Sequence, residues 1–452
     1  MKEIYTFQEK VLRDSKAYIL REEKKHIDVS SSPLCFLTIW AETPGKYKLL
    51  NLLGSKNFYN EYFYYLKNIL LVFKNNNLYL FYSNKKISFK SRNLIISNSK
   101  KENFDNSGKF KDEYFKYNSK DKTFFWLLIS LDNYVPKNIE ENVAIIANSK
   151  SKKNGFFYFL NFIFNQIIFK LHKLNELKHF CWEEYDLSRN ICSKFSIFIK
   201  KFKFKKIILN YEAVPFQNKV IDFIKEYDSK IKTYGYLHCA PWPLQTDLLY
   251  RGQKLDYLIV SGSVQKEVLK NKLGWKKKSI LLIPSLRFKK IKKKQFNNFI
   301  FIPFKIDKNN YLVFLKKILN LKNKLINKNI KVRIHPLNKD SKDHLLLRDK
   351  INSLLKKHRK NLSEKSSKYS IFLGSATGVC VQALEEGNSI IHVPNNIYLD
   401  CFTSKMWKNI IVKKIDKDIL EYKIKKKNTI FHVNSNNKNF KKYFLPLIKT
   451  CI

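Results

Sequence analysis

Short apolar runs alternate with segments of helical spacing along the second half of the chain, and this alternation occurs twice. The first series extends from Lys205 to Pro284, and the second from Phe299 to Val393. Strand, loop, helix and strand in this order, with short connections, are typical of a parallel α/β sheet. The basic stretch Arg287 to Lys294 separates the two series. The chain of 452 residues is therefore predicted to be of the α/β class, with two Rossmann-like domains that face a cleft.

The predicted boundaries follow from this separation. We assign residues 1–288 to an N-terminal α/β domain and residues 296–430 to a C-terminal one, and we expect the tail 431–452 to pack back on the first domain. The stretch from Asn98 to Asp121 is almost wholly polar and predicts a long surface loop. A cleft between two domains of this kind is the natural place for a ligand.

The charge of the chain is extreme but comes mainly from one residue type. Lys and Arg number 87 against 38 Asp and Glu, a formal net charge of +49, and only nine of the basic residues are arginine. Arginine hydrogen-bonds to base edges and phosphates better than lysine does, so its scarcity disfavours nucleic acid as the partner. Lys, Asn, Ile, Phe and Tyr also share A/T-rich codons, and genome composition alone explains part of the excess. The charge favours an anionic substrate or membrane surface.

Cysteine usage and apolar patterning predict a cytoplasmic protein. The seven cysteines contain no CxxC pair, which indicates reduced thiols, and charged residues interrupt any leader-like core in the first twenty positions. The most apolar window, Phe156 to Phe169, has fourteen residues and is shorter than the roughly 20 needed to span a bilayer. It fits a buried core helix or a helix in a membrane interface beside its lysines.

Two loops of the second series predict a phosphate-binding site. His335-Pro336 follows one predicted strand, and the small residues Ser375, Ala376, Thr377 and Gly378 lie between a later strand and a helix. A helix N-terminus presents unpaired N–H groups and the positive end of its dipole to an anion. Glu385, two turns into that helix, is expected to accept hydrogen bonds from ribose hydroxyls. The same residues also fit an ordinary N-cap and a proline that ends a strand.

These loops resemble the C-terminal domain of GT-B-fold glycosyltransferases, above all bacterial surface-polysaccharide enzymes of the sialyltransferase and Kdo-transferase groups. The similar region covers roughly Lys205 to Ile410. In that family the His-Pro and Ser/Thr motifs hold the nucleotide of the sugar donor, often CMP. The resemblance implies these roles for His335, Pro336, Ser375, Ala376 and Thr377. The acidic-acidic-Gly triplet of several sialyltransferase families is absent, since Tyr211-Glu212-Ala213 stands at that position.

Catalytic candidates follow the strands of the first series. Sugar transfer needs a base within reach of the acceptor hydroxyl and positive groups beside the departing phosphate. Glu212 and His238 each follow a predicted strand, and we expect Glu212 to be the base with His238 as the second candidate. An ion pair for Glu212 and a core position for His238 remain open alternatives. Arg287, at the domain junction, is the candidate for stabilising the leaving group.

The expected function is transfer of a sugar from a nucleotide-sugar donor to a glycan or lipid-linked acceptor in surface-polysaccharide synthesis, such as that of lipopolysaccharide or capsule. We expect neither a metal nor another cofactor. We expect a cytoplasmic enzyme that attaches peripherally to the inner membrane face. Polyol-phosphate transfer, nucleotide-sugar epimerisation and basic nucleic-acid binding remain alternatives. P-loop ATPases and GxSxG hydrolases are excluded because their motifs are missing.

Overall fold

The computed structural model describes residues 1–25, 32–39, 43–54, 78–83, 92–148, 183–252, 255–289, 298–306, 310–322, 326–364, 369–434, 442–444 and 446. Within these ranges the chain forms two mixed α/β domains, each built on a largely parallel sheet. The predicted fold class is confirmed. The apolar segment 156–169 and most of the basic stretch after Arg287 lie outside the described residues.

The N-terminal domain is built on an eight-stranded sheet with the order β1-β4-β3-β2-β5-β6-β7-β8. Seven strands are parallel, and only the edge strand β1 runs antiparallel to its neighbour β4. Buried parallel strands require nearly continuous apolar runs, which these segments provide. The strands are β1 Leu78–Tyr82, β2 Asn93–Ser99, β3 Phe125–Ser130, β4 Val143–Asn148, β5 Lys206–Asn210, β6 Lys232–Tyr236, β7 Tyr257–Val260 and β8 Ile280–Leu282.

Helices cover this sheet because their apolar residues recur on one face. In the described ranges they are α1 Lys2–Lys25, α2 Pro44–Leu52, α3 Glu183–Lys201, α4 Pro215–Tyr227 and α5 Ser263–Asn271. In α4 the buried residues Val220, Ile221 and Ile224 have the i, i+1, i+4 spacing of a helix stripe. Pro215 occupies the first turn of α4, where its missing N–H removes no helical hydrogen bond.

The C-terminal domain has a six-stranded sheet with the order β11-β10-β12-β13-β15-β14. The strands β10 to β13 are parallel, whereas β14 and β15 form an antiparallel extension. Its strands are β10 Phe299–Ile302, β11 Lys331–Ile334, β12 Tyr369–Leu373, β13 Ser389–Val393, β14 Ile410–Asp416 and β15 Ile419–Ile424. Its described helices are α6 Tyr311–Lys322, α7 Lys342–His358 and α8 Gly378–Glu385.

The two sheets share one buried apolar cluster, which includes Leu237 from the first domain and Phe372 from the second. Polar contacts join the domains as well. Gln8 in α1 donates to the carbonyl oxygen of Cys401 at 2.8 Å, and the Trp407 indole donates to the carbonyl oxygen of Pro243 at 2.8 Å. These contacts hold the domains in one fixed relative arrangement in this structure.

The segment after β15 returns to the N-terminal domain. The short strand β16, Val433–Asn434, pairs in parallel with β9, Ser285–Lys289. Gly262 permits this course, because a Cβ atom there would lie 1.8 Å from the carbonyl oxygen of Ile430. Farther along, the Phe444 ring packs against Tyr236 with ring centroids 5.6 Å apart.

No helix in the described ranges is both long enough and apolar enough to cross a membrane. None of the five cysteines within these ranges forms a disulfide.

Candidate functional site

Each sheet has one place where the strand order reverses. In the first sheet the chain moves outward from β2 in one direction and from β5 in the other, and in the second sheet the reversal lies between β10 and β12. Ligands of open α/β sheets bind outside the carboxyl ends of the strands at such a reversal. Glu212 follows β5, and the Ser375–Gly378 loop follows β12. Glu212 and the Ser375–Gly378 loop therefore both lie where the sheet topology predicts a ligand.

At the first reversal, Glu212 and His238 are in direct contact. His238 Nε2 lies 3.0 Å from Glu212 Oε1, and the Cys239 thiol donates to the same oxygen at 3.1 Å. The Glu212 side chain keeps 33% of its surface exposed, whereas only 3% of His238 is exposed. Glu212 is thus the member of the pair that an incoming molecule can reach.

The turn that carries Glu212 has a demanding backbone conformation. Ala213 has φ +58°, which L-residues adopt only when the surroundings enforce it. Side chains at the start of α4 supply that enforcement. The Gln217 amide accepts from the backbone N–H of Glu212 at 2.8 Å, and Asn218 donates to the carbonyl oxygen of Ala213 at 3.1 Å. The position of the carboxylate is therefore set by the fold, a form of preorganisation found at functional sites.

The surroundings of Glu212 favour its ionised form. Burial alone would raise the pKa of this carboxyl group, but the hydrogen bond from His238 and the electrostatic attraction of that side chain outweigh it and lower the pKa to about 2. The Cys239 thiol behaves in the opposite way. Burial and the neighbouring Glu212 carboxylate raise the pKa of Cys239 well above its ordinary value, so the sulfur remains a neutral hydrogen-bond donor.

A segment that the sequence did not predict to be part of the site covers His238. The Tyr114 ring packs on the His238 ring with centroids 4.2 Å apart. Asp112, two residues earlier, is fully buried and accepts from the backbone N–H groups of Tyr114 at 2.7 Å and Phe115 at 2.5 Å, and from the Ser97 hydroxyl. Burial raises the pKa of Asp112 to about 6. The prediction of a polar surface loop over 98–121 is therefore wrong for this part of it.

One imidazole nitrogen of this cluster lacks a partner. Nδ1 of His238 is buried and has no hydrogen bond to any residue that the structure describes. Buried polar atoms without partners are uncommon and call for an explanation such as a ligand, a water molecule or a catalytic role.

Arg287 connects the cluster to the domain boundary. Its guanidinium group donates to the Cys239 sulfur at 3.7 Å and lies 5.3 Å from the centre of the Tyr114 ring. The next residue, Phe288, lies close to Gly378, as does Ala240, and both belong to the N-terminal domain. The predicted leaving-group residue thus lies between the Glu212 cluster and the C-terminal domain.

The loop after β12 faces this cluster across the boundary. A Cβ atom added to Gly378 would lie 3.6 Å from Ala240 Cβ and 3.7 Å from Phe288 Cζ. Thr377 is the N-cap residue of α8, yet its side chain makes no capping hydrogen bond, and its buried Oγ1 has no partner in the described part of the chain. Ala376 is buried and Ser375 is half-buried. The start of α8 therefore keeps hydrogen-bonding capacity beside Ala240.

His335 and Pro336 lie at the same edge of the second sheet, but not on the strand next to β12. The central strand β10 separates β11 from β12, so the loop after β10 lies between the two motifs. In that loop Phe304 packs on the His335 ring with centroids 5.3 Å apart. His335 is half-buried, and burial together with the charge of His344 lowers its pKa. Its Nδ1 accepts from the backbone N–H of Leu337 at 3.3 Å.

Glu385 does not have the predicted role. Its carboxylate accepts from the backbone N–H groups of Thr429 at 3.1 Å, Ile430 at 2.7 Å and Phe431 at 2.9 Å, and also from that of Asn428. Only 4% of the residue is exposed. All of this hydrogen-bonding capacity is used within the protein, so the expectation of ribose binding is corrected. Glu385 instead holds the returning segment in place.

Glu212, His238 and Cys239 also form the group of potential metal ligands found within the described ranges. The three ligand atoms lie within 4.8 Å of one another. However, they already hydrogen-bond to one another, and the Arg287 guanidinium lies beside the sulfur. A second positive charge at this place would be repelled by Arg287.

Comparison with known proteins reveals only remote similarity. No family model and no curated protein matches the chain. Solved structures of the wall teichoic acid polymerase TagF align with 73% of this chain and 76% of that protein at 12% identity and a TM-score of 0.27, and with 74% and 77% at 11% identity and a TM-score of 0.29. A histidine-to-alanine variant of TagF aligns over 74% and 78% at 11% identity and a TM-score of 0.26.

Proposed function

We propose that the chain is a metal-independent glycosyltransferase. It would move a sugar from a nucleotide-sugar donor, with CMP-linked sugars as the first candidates, to a hydroxyl group of a glycan or lipid-linked acceptor. The observation that carries the proposal is the close approach of Gly378 to Ala240 and Phe288. It brings a carboxylate–imidazole pair and the N-terminus of a helix to opposite sides of one boundary.

The pair on the N-terminal side supplies the base. In the proposed step the acceptor oxygen forms a bond to the anomeric carbon and gives its proton to the Glu212–His238 pair. Glu212 is the exposed member, and His238 shares the charge through the 3.0 Å contact. Because this contact joins the two groups directly, we assign the proton to the pair and not to one residue.

The C-terminal side receives the leaving group. As the bond between the anomeric carbon and the phosphate oxygen breaks, the nucleotide phosphate leaves with the electron pair. The N–H groups at the start of α8 and the Thr377 hydroxyl are suited to hold it, and Arg287 adds a positive charge. His335 and the exposed Phe304 at the end of the neighbouring strands offer ring surfaces for the nucleoside.

The resemblance and the net charge of the chain support a proposal for the process and the location of the reaction. We propose surface-polysaccharide synthesis at the cytoplasmic face of the inner membrane, with peripheral attachment through lysine-rich surface. The net charge of +49 suits an anionic membrane face that carries lipid-linked acceptors.

The test is a thermal-shift screen of CMP-, UDP- and GDP-sugars with the full chain. We expect one class to raise the melting temperature, and His335→Ala and Thr377→Val to reduce that response. His358→Ala, at the end of α7 and away from both loops, is the matched control and should respond like the wild type. The proposal is overturned if no nucleotide sugar shifts the melting temperature while an oligonucleotide does, since that result indicates nucleic-acid binding.

A further inference from the structure

Five side chains around Glu212 form a closed ring of contacts. Glu212 contacts His238 at 3.0 Å, and His238 packs on Tyr114 with ring centroids 4.2 Å apart. The Arg287 guanidinium lies 5.3 Å from the centre of the Tyr114 ring and donates to the Cys239 sulfur at 3.7 Å. The Cys239 thiol in turn donates to Glu212 at 3.1 Å. Tyr114 therefore joins His238 to Arg287, just as Cys239 joins Glu212 to Arg287.

The position of the Tyr114 ring is fixed by its own segment of the chain. The buried Asp112 carboxylate accepts hydrogen bonds from the backbone N–H groups of Tyr114 at 2.7 Å and Phe115 at 2.5 Å, and the Ser97 hydroxyl of β2 donates to it. The Phe115 ring packs against Tyr236 of β6 with centroids 5.4 Å apart. Because the backbone is held at both of these residues, the Tyr114 ring has a defined place, and only 8% of the residue is exposed.

The Tyr114 hydroxyl does not supply the base. Burial, together with the carboxylates of Glu113 and Glu212, raises the pKa of this hydroxyl above its ordinary value, so it stays protonated at neutral pH. The contribution of Tyr114 to the site therefore comes from its ring. Aromatic rings attract positive charge to their faces. The ring thus suits both of its neighbours, since Arg287 is always charged and His238 carries charge when the base pair holds the proton on the imidazole.

We propose that Tyr114 is a positioning residue whose ring holds the Glu212–His238 pair and the Arg287 guanidinium in a fixed relative position. This assignment rests on the proposed function, because Tyr114 acts through the base and through the leaving-group residue. The proton arrives at one of these groups while the phosphate departs beside the other, so both must fit a single transition state. A displacement of about 1 Å in such an arrangement costs about 10²-fold in rate.

The test compares a variant that keeps the ring with one that removes it. Tyr114→Phe loses only the hydroxyl, whereas Tyr114→Leu keeps an apolar side chain without an aromatic face. Tyr117→Leu is the matched control, since Tyr117 lies in the same segment but packs its ring on Phe124 and Trp126, with centroids 6.1 and 6.5 Å away. Melting temperatures show whether each variant folds. Tyr114→Met takes the place of Tyr114→Leu if the leucine variant melts well below Tyr117→Leu.

The first readout does not depend on sugar transfer. Diethyl pyrocarbonate modifies accessible imidazoles, and peptide mass spectrometry measures its reaction with His238, which is 3% exposed. We expect His238 to be protected in the wild type, in Tyr114→Phe and in Tyr117→Leu, and to lose this protection in Tyr114→Leu. If Tyr114→Leu protects His238 as well as the wild type does, the ring does not hold the imidazole and the inference is overturned.

The second readout is the rate of sugar transfer. We expect Tyr114→Leu to lower kcat about 10²-fold with little change in the KM of the donor, and Tyr114→Phe to keep most of the rate. In an Arg287→Met background, Tyr114→Leu should cost about tenfold less than it does in the wild type, because one of the two groups that it positions is already absent. A purely structural role gives independent losses that multiply. Such losses, or a Tyr114→Phe variant as slow as Tyr114→Leu, would overturn the inference.

Failure of this inference can be told apart from failure of the proposed function. A wild type that transfers sugar, together with a folded Tyr114→Leu variant that transfers it equally fast, overturns the role of Tyr114 alone. Absence of nucleotide-sugar binding and turnover in the wild type overturns the proposed function and, with it, the role of Tyr114 in transfer.

Discussion

The turn after β5 and the end of α8 each place a glutamate next to the domain boundary, but the two carboxylates have different partners. Glu212 contacts the side chains of His238 and Cys239, and 33% of its side chain remains exposed. Within the described ranges, Glu385 accepts hydrogen bonds from the backbone N–H groups of residues 428–431. A carboxylate held by ionisable side chains can exchange protons with a substrate, whereas one held by backbone amides stabilises a chain segment.

The pKa values of the two carboxyl groups are shifted in opposite directions. The pKa of Glu212 is lowered to about 2, since the contact with His238 exceeds the effect of burial. Burial raises the pKa of Glu385 in spite of its four amide donors. The position of an acidic residue after a strand or in a helix therefore does not define its role. Its partners do, and mutations at the two sites should therefore have separable effects.

Glu385→Ala should produce the largest loss of stability. Removing the carboxylate leaves four buried backbone donors unpaired, and we expect about 4 kcal/mol less unfolding free energy, measured by urea denaturation. Glu385→Gln is the control and should lose less, because one oxygen remains for Thr429, Ile430 and Phe431. If Glu385→Ala were as stable as the wild type but bound the donor nucleotide poorly, the original ribose-binding prediction would be restored.

Glu212→Gln should instead affect activity. Loss of the base should reduce sugar transfer about 10³-fold, which corresponds to about 4 kcal/mol of transition-state stabilisation, with unchanged donor affinity. The measurement is the transfer rate at saturating donor, together with the melting temperature. Because Glu212 is one-third exposed and glutamine keeps an acceptor for His238 and Cys239, we expect a smaller loss of stability than in Glu385→Ala. A variant that unfolds early but transfers sugar normally would reverse the contrast with Glu385.

Asp112 should give the site a pH dependence of stability opposite to that of Glu212. A raised carboxyl pKa means that the folded chain binds the proton more tightly than the unfolded chain. Its contribution is thus greatest below the ordinary value of 3.8, and is lost as pH rises to about 6. The shift corresponds to about 3 kcal/mol. The contribution of Glu212 is present above about pH 4.5 and is lost as pH falls towards 2.

The measurement is the unfolding free energy of the wild type and Asp112→Asn between pH 4 and pH 7. Asparagine keeps an acceptor for Tyr114 and Phe115 and offers a donor to Ser97, so the variant should match the wild type at pH 4 and exceed it at pH 7. Parallel curves for the two proteins would contradict the burial of an ionisable group at this position.

The smallest effect is expected at the start of α8. Thr377→Val keeps the side-chain shape and removes an Oγ1 that has no partner within the described ranges, so stability should change by less than about 0.5 kcal/mol. Nucleotide affinity should fall about tenfold, because a hydrogen bond to a charged phosphate is lost. Calorimetric titration with the preferred nucleotide measures this. A destabilised variant with unchanged affinity would make Thr377 a structural cap, like Glu385.

The sequence predicted those features that depend on the pattern of neighbouring residues. The alternation of strands and helices predicted the α/β class, and the ends of predicted strands pointed to Glu212, His238 and the Ser375–Gly378 loop. Residues in the predicted surface loop were missed. Asp112 and Tyr114 lie in a polar stretch with no periodicity, and only the parallel pairing of β2 with β5 brings that stretch over His238. Its one available signal was the interspersed aromatic residues.

Local periodicity is a property of neighbouring residues, so secondary structure, the class of fold and the strand ends could be read directly along the chain. The partners of a side chain depend instead on contacts between distant segments. The approach of Gly378 to Ala240 and the binding of residues 428–431 by Glu385 arise from contacts between segments that are far apart in the chain. Only the folded structure therefore decides whether a polar group is already hydrogen-bonded within the protein or remains available to a ligand.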